Sequence, residues 1–327
     1  MSARTTALAL VSALVAAIVL GGCSASGAAA MACLSRPDIM TLTGEQPRFV
    51  PDATVTIADG TTIDATAATW DNTTASNYPV FIQRFPGEPR NDLCFLGGGI
   101  ASPYGPSTPW TTWHGVTGLV AETPSFEAIG VSIWNEGDGL DFDGTHATDW
   151  TVRAAHLATM HDDCLEDDEM NSGLIDDSLF DGCYSGISAR GWPGHTFDGS
   201  ANTITITNSL IRLEPMPTVF KGPAPGTADF FKFADDQPDE GISPRLVVRN
   251  TIFRADQAPG FGDLGTPHYT DPTTGESVPY PIDCSDDTMV WLGSGPFPGH
   301  LPSCFTITTD PSVWDDAVTE WTNSHQP

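Results

Sequence analysis

Residues 161–170 read HDDCLEDDEM, with six carboxylates inside eight positions around Cys164. Like charges at that density repel, so a metal, a shared proton or water at a sharp turn has to compensate them. Crowded carboxyls raise one another's pKa, which can keep a proton donor beside an ionised base. Acid–base cleavage of a glycosidic bond needs such a pair. Hard oxygen ligands in this number also suit calcium, with Asp163, Glu166 and Asp167 as the candidate set. The plainest alternatives are aspartates capping backbone amides at corners (Asp138, Asp176, Asp177) and a solvated turn over residues 166–169.

A repeat indicates how these side chains would be positioned. Short alternating segments begin at Ile129, Val152, Ile175, Ile206 and Val248, spaced 23, 23, 31 and 42 residues apart, each passing a polar Asn/Asp/Ser/Thr corner before a second short strand. β-Branched residues and glycine replace the Ala/Leu/Glu runs of helical repeats. The expected fold is a single-domain, all-β, right-handed parallel β-helix, a solenoid whose coils are about 23 residues long. Earlier coils are expected at Cys94–Ile100 and Gly115–Val120, a hairpin at Ala53–Ala65 turned by Asp59-Gly60, and an inserted loop at Pro215–Thr227. A long disulfide-stapled loop or cap is expected over residues 256–304. A C-terminal capping helix with Val313, Trp314, Ala317, Val318 and Trp321 on one face should cover the last coil. Asp138 falls nine residues into its coil, and Asp162 and Asp163 ten and eleven into theirs. A short insertion would gather all three on one face, roughly 5 Å apart on adjacent coils and ~7–9 Å diagonally.

Here the chain resembles the polygalacturonase-like glycoside hydrolases of the pectin-lyase-like superfamily. Asn135-Glu-Gly-Asp-Gly-Leu-Asp141 is similar to that family's Asn-Thr-Asp-Gly segment, His161-Asp-Asp-Cys164 to its Gly-Asp-Asp-Cys, and Cys183-Tyr-Ser-Gly-Ile-Ser188 to its histidine segment. The resemblance covers residues 129–190. It implies Asp162 as general acid, Asp138 and Asp163 activating water, and support for a Cys164–Cys183 disulfide. Ser185 stands where the family has histidine, and no Arg-x-Lys follows, so polygalacturonate is not the expected substrate. Trp192, His195 and Arg190 are expected to line a sugar subsite, with Lys221 replacing the lost basic group.

The N-terminus reads as a signal peptide over residues 1–22, with a short basic start and an apolar run. Leu20-Gly21-Gly22-Cys23 resembles the bacterial lipobox, which implies lipidation at Cys23 and anchoring to the outer face of a bacterial membrane. A tether and N-terminal cap over 23–45, the β-helix over 46–308 and the helix over 309–327 complete the expected layout. Without residues 1–22 the chain holds 12 basic against 42 acidic side chains, a net −30. That excess excludes nucleic acid as a partner and disfavours polyanions unless cations bridge them. Six cysteines remain in an oxidising compartment, expected to pair by proximity as Cys33–Cys94, Cys164–Cys183 and Cys284–Cys304.

The expected protein is a monomer whose partners are a polysaccharide and, through its lipid, a membrane. It is expected to bind and cleave that polysaccharide as a glycoside hydrolase rather than a lyase, with calcium the one cofactor considered. The alternative is a non-catalytic glycan-binding or adhesion protein that keeps only the scaffold.

Overall fold

The computed structural model describes residues 25–50, 57–73, 78–82, 92–142, 144, 147–192, 194–219, 225–234, 240–260, 264–265, 267–270, 274 and 276–325. The chain winds as a parallel β-helix built on one sheet of 21 strands. Among the described residues, the one strand pair outside that sheet is an antiparallel hairpin, His268–Thr270 with Ser277–Pro279.

Three parallel ladders run along the solenoid, each with an inward apolar column. Ala128, Val152, Ile175, Ile206 and Val248 are register partners in the first. Ile133, Leu157, Phe180, Ile211 and Phe253 follow one another in the second. Leu119, Leu140, Leu165, Ile187 and Phe231 form the third. All fifteen are buried in one continuous core. Alternation along each strand turns the intervening residues outward, where two helices cover apolar ones. The N-terminal helix Ala25–Leu34 packs Cys33 against Cys94, Leu96 and Ile129 on the first ladder. The C-terminal helix Ser312–Ser324 lies along the second, over Leu179, Leu210 and Ile252 from three successive coils, using Val313, Trp314, Ala317, Val318 and Trp321. It therefore shields a flank rather than only the final edge.

The polar corner of the repeat has a backbone cause. Leu96, Ile129, Arg153, Asp176, Thr207, Arg249 and Ser285 are register partners in the first ladder. The residue after each, Gly97, Gly130, Ala154, Asp177, Asn208, Asn250 or Asp286, has φ between 48° and 71°. This left-handed conformation is open to glycine and tolerated by Asn and Asp. Each such amide up to Asn250 donates to the carbonyl of the following coil, as in Asn208 N to Arg249 O at 3.0 Å. Asp176 ties coils together by accepting from Arg153 at 2.6 Å, Thr207 at 2.8 Å and Asn208 at 2.9 Å.

Several expectations need correction. Ile129 is not the register partner of Val152; Ala128 is. The apolar Ile129 mimicked an inward residue because the N-terminal helix buries its outward face. That helix also replaces the featureless tether, and the sheet already begins with strand Ile39–Glu45. Strand Thr62–Asp71 pairs in parallel with Ile39–Glu45 and with Leu93–Leu96, so it is a coil and not half of a hairpin; residues 51–56 lie outside the described ones. The 256–304 segment, read as a loop, holds another coil, Ile282–Ser285 and Asp287–Trp291, which continues the first two ladders. Its Pro/Gly/Asp content hid those two short strands. Disulfides join Cys33–Cys94, Cys164–Cys183 and Cys284–Cys304. They fit an oxidising extracytoplasmic compartment, and among the described residues no helix is long and apolar enough to cross a membrane.

Trp150 shows how tightly the interior is filled. Its ring stacks on Phe142 with centroids 4.8 Å apart, its Nε1 donates to Asp167 Oδ2 at 2.9 Å, and it leans over its register partner Gly173. A Cβ on Gly173 would lie 2.0 Å from that ring. Gly173→Ala should therefore cost about 1–3 kcal/mol through overpacking, measured as a lower denaturant midpoint with unchanged slope.

Candidate active site

The corner between the second and third ladders is also left-handed. Trp134, Ala158 and Asp181 are in register, and the residues after them, Asn135, Thr159 and Gly182, have φ of 56°, 61° and 109°. A β-branched threonine in this region is an outlier that its surroundings must hold in place. Directly after it the ladder slips: Met160 pairs with Cys183 but Asp163 with Ser185, leaving one extra residue in the earlier coil. In a regular strand, neighbouring side chains face opposite ways; a bulge re-aims one of them. Consecutive Asp162 and Asp163 thereby both reach Asp138 from the preceding coil.

One oxygen from each of Asp138, Asp162 and Asp163 lies within 4.8 Å of one from each of the others, and all three residues are buried. Thr117 Oγ1 donates to Asp138 Oδ2 at 3.3 Å, and the Asp163 amide donates to Asp138 Oδ1 at 3.0 Å. Lys232 Nζ donates to Asp163 Oδ2 at 2.5 Å and lies 3.9 Å from Asp162 Oδ1. His114 Nδ1 sits 3.1 Å from Asp162 Oδ2. The Cys164–Cys183 disulfide clamps the two coils that carry Asp163 and Ser185.

Burial, reinforced by Asp162 and Asp163, pushes the Asp138 carboxyl well up. Burial also raises Asp163, although Lys232 pulls it back. Burial alone would lower Lys232, but Asp163, Asp162 and Glu166 outweigh it and hold the ammonium charged. The hydrogen bond to Asp162 raises His114.

Beside the cluster lies an open cleft of about 450 Å³, lined by His114, Asp141, Glu166, Asp168, Arg190, Trp192, Lys232 and Glu240; none of the three aspartates lines it, and His114 and Lys232 connect it to Asp162 and Asp163. Asp141, Glu166, Ser188 and Lys232 form one outward column of the third ladder, on four successive coils. The expected subsite residues thus divide. Trp192 lines the cleft, 41% exposed, and His195 backs it in a stack with centroids 4.4 Å apart. Arg190 lines the cleft and lies 3.5 Å from Glu240. Lys221 lies outside the described residues, as does Cys23; the ammonium at the cluster belongs to Lys232, the chain's other lysine.

The calcium set Asp163, Glu166 and Asp167 does not converge. Asp167 is fully buried, accepting from Trp150 Nε1 and from Asn171 N and Nδ2, the last at 3.0 Å. It is a structural group, which also corrects the reading of residues 166–169 as a solvated turn. Nor does the aspartate cluster fit a resident calcium ion, since the Lys232 ammonium already supplies its cation at 2.5 Å from Asp163.

Sequence reasoning missed Lys232, His114, Asp141, Asp168 and Glu240. Lys232 was visible as one of two lysines, inside an alternating Phe-Lys-Phe strand. His114 carries no such signal, because it arrives on an excursion after the short helix Trp110–Trp113. His161, despite its place in the HDDC motif, is packed away. It stacks on Trp113 at 3.7 Å, and its Nε2 donates to Asn135 Oδ1 at 3.0 Å, an amide oriented by its own bonds to Ser102 O and Tyr104 O. Burial lowers His161 to about 4, so it is neutral. Comparison of the chain with protein families, curated proteins and solved structures finds no match.

Glu136, two residues before Asp138, is fully buried, and Asn72 Nδ2 and Ser102 Oγ both donate to its Oε2 at 2.9 Å. Burial raises it to about 8. The folded chain therefore holds a proton there that the unfolded chain has lost above its ordinary value of 4.5. This group makes stability fall as pH rises from that value toward 8, by up to ~1.4 kcal/mol per pH unit. Glu136→Gln should flatten that slope and raise the melting temperature more at alkaline than at mildly acidic pH. Parallel slopes for both proteins would contradict the assignment.

Proposed function

We propose that this is an exported parallel β-helix protein, lipid-anchored through Cys23, that binds and cleaves a polysaccharide in the cleft beside Asp138, Asp162 and Asp163. The observation that carries the proposal is the convergence of three aspartates from two coils, two of them held by Lys232 and His114, which also line an open groove. Stacked rungs with a disulfide between them give such a cluster the rigidity that acid–base work needs.

In this reading Asp138, whose carboxyl burial and the neighbouring Asp162 and Asp163 push well up, has the position of the proton donor. Asp162, between His114 and Lys232, has the position of the base. That exchanges the roles implied by the resemblance. Asp163 is the positioning group, since its carboxylate fixes Lys232. Polygalacturonate fits poorly, because a uronate would enter among Asp141, Glu166 and Asp168.

A second reading is also supported by an observation. All three aspartates are at most 4% exposed, so a protein that holds a glycan without cutting it would carry the same cluster as a structural clasp. Incubating the purified protein with a panel of polysaccharides separates the two. Hydrolysis gives new reducing ends without ultraviolet absorbance, and an Asp162→Asn variant should lose roughly 10²-fold or more of that rate while still binding. Absorbing, unsaturated products would mean a lyase. Binding without products, unchanged in Asp162→Asn, would leave the non-catalytic reading.

A further inference from the structure

The three aspartates are buried and none of them lines the cleft, so a molecule bound there meets the cluster through other groups. Among the described residues, Lys232 and His114 are the two that line the cleft and also bond to the cluster. A charged lysine only donates, and Asp163, Asp162 and Glu166 hold Lys232 charged. An imidazole can both take and give a proton near neutral pH.

The fold places that imidazole with care. His114 follows the short helix Trp110–Trp113, its amide donating to Trp110 O at 2.9 Å. Its ring lies flat on the Trp110 ring, with centroids 4.5 Å apart and planes at 18°. Nδ1 sits 3.1 Å from Asp162 Oδ2, which makes Nε2 the ring's second proton site. The His114 side chain is 61% exposed, against 6% for Asp162. Contacts with the coils pin the excursion that carries it. Buried Trp113 stacks at 3.7 Å on His161, the residue before Asp162. A Cβ on Gly137, the residue before Asp138, would fall 1.9 Å from Trp113 O. A ring fixed by stacking and by one buried carboxylate, yet open to a cleft, suits proton transfer better than packing.

Resting on the cleavage reading above, we propose that His114 is the catalytic residue that takes the proton of the attacking water, with Asp162 behind it as the positioning group, so that the site turns over only while His114 is neutral. The base role given to Asp162 is thereby exerted through the imidazole. The water oxygen bonds to the anomeric carbon as the glycosidic C–O bond breaks, its electron pair leaving with the departing oxygen. The departing oxygen takes the Asp138 proton of that reading. The proton lost by water moves to His114 Nε2, while Nδ1–H stays hydrogen-bonded to Asp162. Solvent then takes the proton from the imidazolium and returns one to Asp138.

The charged groups facing His114 set where it titrates. The hydrogen bond to Asp162 raises it above the ordinary 6.5, burial opposes that, Asp162 and Asp163 add to it and Lys232 subtracts. Asp141, Glu166, Asp168, Arg190 and Glu240 surround the same opening. A base must be neutral, so the rate should climb as pH rises through the raised value and be lost below it.

The test uses the full-length protein in detergent and counts new reducing ends on starch, xylan, galactan, mannan and chitosan across pH. His114→Ala should lose about 10²-fold or more in kcat with KM little changed. Added imidazole should restore part of that loss, which a packing role would not allow. His114→Ala/Asp162→Asn should be no slower than the slower single variant, because the two act as a unit. In Asp162→Asn the acid limb of the remaining activity should move to lower pH. Histidine-ring NMR reads the pair without substrate: the resonance that His114→Ala removes should titrate above 6.5 in the wild type and lower in Asp162→Asn.

A His114→Ala protein that keeps most of its rate, while Asp162→Asn loses it, would overturn the inference and leave the cleavage reading standing with Asp162 acting directly. A loss in His114→Ala that imidazole does not restore, with no change of the histidine titration in Asp162→Asn, would overturn it in favour of a packing role. If the wild-type protein cuts none of the polysaccharides, the cleavage reading and the inference fall together.

Discussion

Each coil has to return the chain to hydrogen-bonding distance of the coil before it, in register, or no side chain of one coil meets another's. Left-handed corner residues impose that return. They turn the chain within one residue and leave an amide aimed at the next coil, and Asn208 and Asn250 add a side-chain bond of 2.9 Å between coils. Once the coils are in register, residues far apart in sequence become neighbours. Lys232 reaches Asp163 across 69 residues, and Thr117 reaches Asp138 across 21.

Against that regular background, the region of the aspartate cluster departs from the repeat at each step. Thr159 adopts a backbone conformation that threonine avoids, the ladder slips by one residue before Asp163, and the longer coils place their extra residues beside the third ladder. Local rules are broken where side chains must be aimed, a pattern expected of sites and not of scaffolds. Burial then sets the electrostatics. Because the cluster is nearly dry, one ammonium governs three carboxyls, and the balance of charge among them is held by geometry instead of by solvent.

Much of the fold was legible because its cause is local. Alternating β-branched segments followed by polar Asn, Asp, Ser or Thr corners report the strand and its turn, and the amphipathic stripe from Val313 to Trp321 reports the helix. What failed was what tertiary packing overrides. Ile129 imitated an inward residue because a helix buries its outward side, and the 256–304 segment hid a coil because two short strands carry little pattern. The aspartates of the cluster were legible from their type and their place in the coil, and the short insertion needed to gather them is the one-residue slip between Met160 and Asp163. His114 approaches from a loop, and Lys232 from a coil whose length no repeat predicts. That Lys232 supplies the basic group was not legible, because closeness to aromatics does not encode register.

Register brings Asp163 and Lys232 into one buried pair on which the cluster depends. A double-mutant cycle on folding stability, using Asp163→Asn, Lys232→Met and both together, tests it most directly. The account predicts strong coupling: each single change strands a buried group, and the double variant loses less than the sum by more than ~1 kcal/mol, beyond the range of exposed ion pairs. Additive losses would mean that the two side chains do not meet, and would contradict the account.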